Sequence, residues 1–387
     1  MTVKKWIGRI HLWLGLSSGL IVCFLGITGC ILAFQREIED NSQPYRFVEQ
    51  QQKAFLPPSQ LKAIAEKELP GKHVHAVMYE GREKAAQAIF FQFEPESYYH
   101  HVYLNPYDGT VLKTKDMDKD FFRTIITGHF YLWLPPHIGQ PIVATATLLF
   151  VIMLITGLIL WWPRNKAASK QRFSIKWNAR WRRKNYDLHN VLGFYATWVA
   201  IILALTGLVW GFQWFANSLH TVTGGEKSLV YTEPLSDTAK ENISRQQPAI
   251  DMVWQKMNAL YPNAEAIEVH PPETKASPIA ANANPDGDTY WQIDYRYFDQ
   301  YSFKELSVDH VYGRFNDLAT GDKIIRMNYD IHTGAIIGLP GKILMFCASL
   351  IVASLPVTGF YIWWGRRRKN KKAALVKKKE TMYAEVV

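Results

Sequence analysis

The chain has 387 residues, of which 48% are hydrophobic and 14% are aromatic, and its formal net charge is +10. The apolar runs are too long for a soluble core, and the positive charge is confined to short segments, which argues against a nucleic-acid-binding surface. The sequence has no glycine-rich nucleotide fingerprint, no CxxCH attachment site and no nucleophile–base motif. We therefore expect no nucleotide domain, no covalently attached haem and no hydrolytic chemistry.

Four apolar segments are long enough to cross a bilayer, which takes about 20 helical residues. Tryptophans cluster at their ends, as is typical of membrane interfaces. The sequence therefore predicts a multi-pass membrane protein in contact with lipid. The four segments are residues 12–34, 140–162, 190–214 and 341–364.

The basic residues predict the orientation of these helices. Nine Lys or Arg residues lie between Arg164 and Lys184, and nine more lie between Arg366 and Lys379. Short basic loops stay in the cytoplasm. We therefore expect both termini and the loop 163–187 to be cytoplasmic, and the two long segments between the helices to lie outside.

The first predicted domain, residues 1–34, is the N-terminus with transmembrane helix 1. His11 lies near its inner boundary, and Gly15, Gly19, Gly26 and Gly29 lie on the same face at about 100° per residue. Small residues let membrane helices approach closely, so this face is explained by helix packing. It is equally explained by a flat macrocycle lying beside an axial imidazole, because an intramembrane histidine is a functional candidate.

Residues 35–139 are predicted to form the first extracytoplasmic α+β domain. A helix is expected over 56–71, with strand-like runs over 73–79, 88–94 and 100–105. His73, His75, His100 and His101 lie in or beside these runs without a tight ligand set, so we expect solvated or edge histidines. An amphipathic segment, 118–139, carries His129 and is broken at Pro135-Pro136.

The second half of the chain repeats the first. Transmembrane helix 2 (140–162) and the basic loop 163–187 lead to transmembrane helix 3 (188–215). The second α+β domain (216–339), transmembrane helix 4 (340–364) and the basic tail 365–387 follow. Within the second domain a helix is expected over 249–265, strands over 289–300 and 304–315, and a mobile loop over 271–288.

The histidines fall at corresponding positions of this repeat. His189 aligns with His11 without a gap, and all four apolar helices carry a Thr-Gly pair. Counted back from that pair, His129 and His332 also correspond. Both halves start inside, so the repeat is parallel and related by a pseudo-twofold along the membrane normal.

This symmetry predicts two histidine pairs, His11 with His189 near the inner face and His129 with His332 near the outer face. Two facing imidazoles can ligate one haem iron. The expected cofactors are therefore two non-covalent haem b groups, with these four histidines as iron ligands. The alternative, that the histidines only hydrogen-bond helix ends, stays open.

Several motifs carry a resemblance to a known family. RIHLWLGL, YDLHNVLGFY, DIHTGAIIGLPGK and the helix end TGLILWWPR resemble signatures of the PepSY-associated transmembrane proteins, and residues 55–113 and 250–318 look like PepSY domains. The resemblance implies four transmembrane helices in two parallel repeats with two periplasmic PepSY-like domains. Within the family the chain is similar to ferric-siderophore reductases of the bacterial inner membrane, which implies haem-dependent oxidoreductase activity in iron uptake.

Three functions remain open. The chain is a reductase of periplasmic ferric siderophore, it transfers electrons to another periplasmic acceptor, or it is a non-enzymatic PepSY sensor or peptidase regulator. The first two need a separate cytoplasmic electron donor or quinol, because the chain has no nucleotide site. Aromatic residues of the outer segments are candidates for contacting a ferric chelate, although alternation in strands places some of them on the core side, where they would only pack. They are Tyr98, Tyr99, Tyr103, Tyr107, Tyr290, Trp291, Tyr295, Tyr297 and Tyr301.

Overall fold

A computed structural model describes residues 2–94, 96–163, 165, 169, 172–240 and 247–384 of the chain. The chain divides into a membrane unit (1–33, 127–212 and 339–387) and a sheet unit (34–126 and 213–338). The helices are α1 (Val3–Leu32), α2 (Gln35–Ser42), α3 (Pro58–Glu68), α4 (Phe121–Tyr131), α5 (Pro136–Trp161), α6 (Trp181–Gly211), α7 (Gln213–Val222), α8 (Ala249–Leu260), α9 (Thr320–Thr333) and α10 (Gly338–Ala384). The strands are β1 (Ala76–Glu80), β2 (Ala86–Gln92), β3 (Tyr98–Leu104), β4 (Val111–Asp116), β5 (Ala266–His270), β6 (Ile279–Asn284), β7 (Asp294–Phe298) and β8 (Glu305–Leu306).

Four helices are long and apolar enough to cross a membrane: α1, α5, α6 and the span Ala335–Lys369. The helices extend beyond the apolar segments that the sequence predicts. Helix α1 begins at Val3, α6 begins within the predicted loop 163–187, and α10 continues into the predicted tail 365–387. Apolarity locates the part of a helix that lies in lipid, whereas backbone hydrogen bonds continue through polar turns at its ends.

Glycines bring the helices of the membrane unit close together. A Cβ atom at Gly26 would lie 2.8 Å from the carbonyl oxygen of Ser349, and one at Gly211 would lie 2.8 Å from the Cβ of Ala144. Side chains larger than hydrogen would force these helices apart. The helix-packing explanation of the glycine face is therefore right for Gly26.

The sheet unit contains one antiparallel sheet in the order β4-β3-β2-β1-β5-β6-β7-β8. The sequence predicts two separate α+β domains, whereas the structure joins their strands through the β1–β5 pair, in which Val77 lies opposite Val269. Each half alone would leave β1 or β5 as an open edge with unpaired backbone groups. Pairing the two edges satisfies those groups, and the strand order is symmetric about that pair.

Helices α3 and α8 cover one face of this sheet and build two neighbouring cores. Leu61 is buried in the first core, Met257 is buried in the second, and Trp254 packs against both. The two helices are also tied to each other, because the backbone N–H and hydroxyl of Ser59 both donate to the carboxylate of Asp251, at 2.8 and 2.6 Å. The halves of the sheet therefore share their covering layer.

The prediction of a single loop over 271–288 is wrong for Ile279–Asn284, which form strand β6. Ile279, Ala281 and Ala283 face the second core and are almost completely buried. Alternating Ala and Asn give a composition typical of a loop. Here the small side chains allow β6 to lie between β5 and β7 and to pack under α8. The composition therefore suggested a loop where the structure has an inner strand of the sheet.

A buried hydrogen bond between a histidine and an aspartate positions helix α9 in the sheet unit. His220 of α7 lies 2.6 Å from the carboxylate of Asp322, which is completely buried near the start of α9. Burial alone would raise the pKa of Asp322, but hydrogen bonds from His220 and from the backbone of Lys227 and Glu226 outweigh it and hold that pKa below its usual range. Helix α9 carries His332 in its last turn.

Candidate functional site

A cavity of about 410 Å³ lies within the membrane unit, between helices α1, α5, α6 and α10. Both His11 and His189 line it, so the structure brings the predicted inner pair to one cavity. Most of the remaining lining is apolar. Five glycines contribute to its walls: Gly8, Gly15, Gly157, Gly193 and Gly359.

The ring of His11 is held by a threonine of α5. Its Nδ1 lies 2.9 Å from the hydroxyl oxygen of Thr156. That hydroxyl also lies 2.8 Å from the carbonyl oxygen of Ile152, to which it donates its single hydrogen. The Thr156 oxygen must therefore accept from His11, which places the ring proton on Nδ1 and leaves the Nε2 lone pair free to bind a metal.

His189 is held in the same way by α10. Its Nδ1 lies 2.9 Å from the hydroxyl of Thr358, and that hydroxyl donates to the carbonyl oxygens of Ser354 and Leu355, each at 3.0 Å. The same tautomer follows. Metal-binding histidines usually have their second ring nitrogen fixed by a hydrogen bond of this kind.

The glycine after each threonine makes room for the ring. A Cβ atom at Gly157 would lie 3.2 Å from Cε1 of His11, and one at Gly359 would lie 3.2 Å from Cε1 of His189. These contacts are tighter than an ordinary van der Waals separation, so a side chain would press on each imidazole. The pairs Thr156-Gly157 and Thr358-Gly359 are therefore each a seat for a histidine from a neighbouring helix, a role that sequence reasoning missed.

The residues present fit a haem. The cavity volume lies in the usual range for cofactor pockets, about 300–1,000 Å³. Two histidines from different helices line it, each with Nδ1 bound and Nε2 available, and its apolar walls suit a flat macrocycle. One buried polar atom, Nε1 of Trp161, lines the cavity region without a partner among the described residues.

A family model confirms the resemblance carried by the sequence motifs. The model described as the PepSY-associated TM region matches residues 8–366. The chain belongs to this family. No curated protein matches the chain. The match covers all four apolar helices, and with them both histidines of the cavity.

In this PepSY-associated protein the same seat occurs a third time, at His129. The Nδ1 of His129 lies 2.8 Å from the hydroxyl of Thr28, which donates to the carbonyl oxygen of Phe24 at 2.9 Å. A Cβ atom at Gly29 would lie 3.7 Å from Cε1 of His129, so this seat is less tight. His129 therefore also has its ring proton on Nδ1.

The turn after His129 explains how α4 reaches this position. Leu132 and Trp133 both have positive φ, at 55° and 58°, before α5 begins at Pro136. The break predicted at Pro135-Pro136 lies at this turn. His332 belongs to the sheet unit, where it is half-buried. Its pairing with His129 stays a prediction of the sequence repeat.

The aromatic surface predicted for the substrate is smaller in the structure. Tyr98, Tyr103, Tyr107, Tyr297 and Tyr301 are buried and serve as core residues, so the prediction is wrong for these five.

The four that remain accessible are Tyr99, Trp291, Tyr295 and Tyr290, of which Tyr290 is 55% exposed. Two carry a cation over the ring: Arg123 lies 5.3 Å from the centre of Tyr99, and Arg326 lies 5.0 Å from that of Tyr295. Burial raises the pKa of Tyr295 to about 12, against the opposing effect of Arg326.

The strand histidines of the sheet unit are not grouped as metal ligands among the described residues. Across the described residues, no group of three or more His, Cys, Asp or Glu side chains could hold a metal ion. His73 is exposed, as expected, but His101 is buried and its Nδ1 lies 3.0 Å from the side-chain oxygen of Gln87. The expectation of a solvated or edge position is therefore wrong for His101.

Proposed function

We propose that this protein is a haem-containing reductase of the bacterial inner membrane that passes electrons to periplasmic ferric siderophore. The observation that carries the proposal is the shared cavity, in which His11 and His189 each have Nδ1 bound to a threonine and Nε2 available. A histidine that only caps a helix end needs no enclosed cavity beside it. Two imidazoles on one cavity, each with Nε2 unbound, would be able to hold a haem iron between them, which supports the proposal.

A haem bound here would supply one-electron carrier chemistry. Thr156 and Thr358 would fix the tautomer and direction of the two imidazoles, and their acceptor oxygens would increase the basicity of the rings. Gly157 and Gly359 would leave the rings room to turn into place. The apolar walls would exclude water, and this exclusion, together with the ligands, would set the reduction potential of the haem.

A second haem is proposed at the outer face, with His129 and His332 as its ligands. Its support is the sequence repeat and the Thr28 seat of His129, which reproduces the inner seats in hydrogen bonding. Two haems in series would carry electrons from a cytoplasmic donor or quinol to the periplasm. Both termini are proposed to be cytoplasmic, and the sheet unit periplasmic.

Ferric siderophore is the proposed acceptor because its reduction needs nothing more than an electron. One electron converts the Fe(III) chelate to the Fe(II) chelate, which binds iron far more weakly and releases it. No acid, base or nucleophile is required, and no bond of the chelator breaks. This agrees with a sequence that has no hydrolytic motif.

The test is anaerobic reoxidation of the dithionite-reduced, desalted protein by ferric siderophore, with an Fe(II) trap present. We expect haem reoxidation and one trapped Fe(II) per electron lost, and a much slower reaction for His189→Ala. The exposed His137 provides the matched control, and His137→Ala should react as the wild type does. Reoxidation without trapped Fe(II), or none with chemically different siderophores, would contradict the reductase proposal.

A further inference from the structure

The cavity has a basic side that the histidines do not explain. Arg172 and Arg366 both line it. The sequence has no Asp or Glu between Trp162 and Tyr186, and none between Ile331 and Lys379. Neither arginine makes an ion pair with a described residue. The next carboxylate along the chain, that of Asp187, is instead paired with Arg183 at 2.8 Å.

A buried hydrogen-bond donor lies beside them. Trp161 is 5% exposed and also lines the cavity. Its ring stacks on Phe194, with centroids 3.8 Å apart and planes 11° apart, and it meets the edge of Phe173 at 5.0 Å. Its Nε1–H has no acceptor in the part of the chain that the structure describes.

This position differs from the one expected for a tryptophan at a membrane interface. Trp162, the next residue, is 62% exposed and fits that role, whereas Trp161 is held inside the unit. An unsatisfied buried donor costs about 1–3 kcal/mol. The buried indole N–H has no acceptor among the described residues, and two arginines without an ion pair to a described residue line the same cavity; together they indicate an anionic acceptor that binds there.

We propose that Arg172, Arg366 and the indole N–H of Trp161 bind the carboxylates of the haem in this cavity. The inference rests on the proposed function and adds the orientation of the cofactor, with its carboxylates towards the end of the unit where α5 ends. Arginine is suited to this role because its planar fork matches a carboxylate, and charge-assisted hydrogen bonds are the strong ones.

The neighbouring arginines show that a basic helix end alone does not produce this arrangement. Arg367 lies over the ring of Trp363 at 5.4 Å and Arg368 lies over that of Trp364 at 4.5 Å, and neither lines the cavity. An arginine that serves only to keep this end of the helix at the membrane surface is expected to be equivalent to these two. Arg367 is therefore the matched control for Arg366.

The test compares haem with haem dimethyl ester, which has the same macrocycle without carboxylate charge. Membranes from cells that cannot make haem supply the full-length chain, and each ligand is titrated by absorbance. The variants are Arg366→Gln, Arg172→Gln, Trp161→Phe and Arg367→Gln. Trp161→Phe keeps the stacked ring and removes the N–H.

We expect each of the first three variants to bind haem about 10- to 100-fold more weakly, as the loss of a charged hydrogen bond predicts. Their affinity for the ester should change less than threefold, and Arg367→Gln should change neither. Equal losses for both ligands, or none in any variant, would overturn the assignment of the carboxylates. A wild-type chain that binds neither ligand would instead overturn the proposed function.

A second readout does not depend on binding. In holoprotein, Arg366→Gln removes a positive charge near the iron and should lower the midpoint potential of the inner haem, whereas Arg367→Gln should not. An equal shift in both variants would show that the arginines act only through the general field of the helix end. That result would also contradict the proposal.

Discussion

Thr156→Val tests whether the threonine seats hold functional imidazoles. Valine has nearly the shape of threonine, so the packing of α5 is kept while the acceptor for Nδ1 of His11, now at 2.9 Å, is lost. The ring N–H would then be buried without a partner, which costs about 1–3 kcal/mol. Loss of such a supporting partner typically weakens metal binding about 10- to 100-fold.

The same helix offers a matched control. Thr147 of α5 donates its hydroxyl hydrogen to the carbonyl oxygen of Val143 at 2.9 Å, as Thr156 donates to Ile152, and it has no hydrogen bond to a histidine among the described residues. Thr147→Val therefore removes an equivalent hydroxyl without touching the site. Any effect of losing a threonine from α5 as such appears in both variants.

The assay is haem titration together with the midpoint potential of the inner haem. We expect Thr156→Val to bind haem about 10- to 100-fold more weakly. Its midpoint potential should rise, because a less basic imidazole stabilises the ferric state less. If Thr156→Val and Thr147→Val match each other in affinity and potential, the reasoning about the seat is wrong.

Three further predictions follow from individual contacts. Gly157→Ala, whose Cβ would lie 3.2 Å from Cε1 of His11, should convert part of the low-spin haem to high-spin. Gly365→Ala should leave the spectrum unchanged, because Gly365 does not line the cavity and no described atom lies within 4 Å of its added Cβ. Burial, with Lys115 and Arg46 nearby, lowers the pKa of His101 from 6.5 to about 4. Because the unfolded chain then binds this proton at a higher pH than the folded chain, the free energy of unfolding of the sheet unit should fall by up to about 3 kcal/mol as the pH drops from 6.5 towards 4. Pulse proteolysis should show a weaker pH dependence in His101→Phe than in the wild type. Trp254→Ala should destabilise the sheet unit by about 3–5 kcal/mol, because both cores lose contact with its ring. Trp254→Phe should destabilise it far less, because an aromatic ring remains and the indole Nε1–H that is removed has no partner among the described residues. Equal proteolysis midpoints for the two variants would contradict this prediction.

Much of the membrane unit could be predicted from the sequence because its physics is local. Apolar length locates a membrane helix, and the gapless alignment of His11 with His189 predicts that two helices present the same residue. The Thr-Gly repeat was visible as well. Its function was not, because a seat consists of a threonine on one helix and a histidine on another, and a single sequence does not show which helices are neighbours.

In the sheet unit, most individual helices and strands could be predicted, but the pairing between its two halves could not. Alternating strands β1, β2 and β3 were found by period, and α3 and α8 by their apolar spacing. The joining of the two halves through β1 and β5 could not be predicted, because an edge strand has the same pattern as a paired one. Strand β6 was missed since its buried face consists largely of alanine, and five of the nine candidate substrate aromatics proved to be core residues.

The most direct test of the central claim is the reduced-minus-oxidised absorption spectrum of purified wild-type protein beside His189→Ala and His137→Ala. We expect low-spin b-type bands in the wild type and in His137→Ala, and loss of the inner-haem contribution in His189→Ala. His11→Ala should reproduce that loss. A wild-type protein without haem bands, or His11→Ala and His189→Ala spectra identical to the wild type, would contradict the assignment of this cavity.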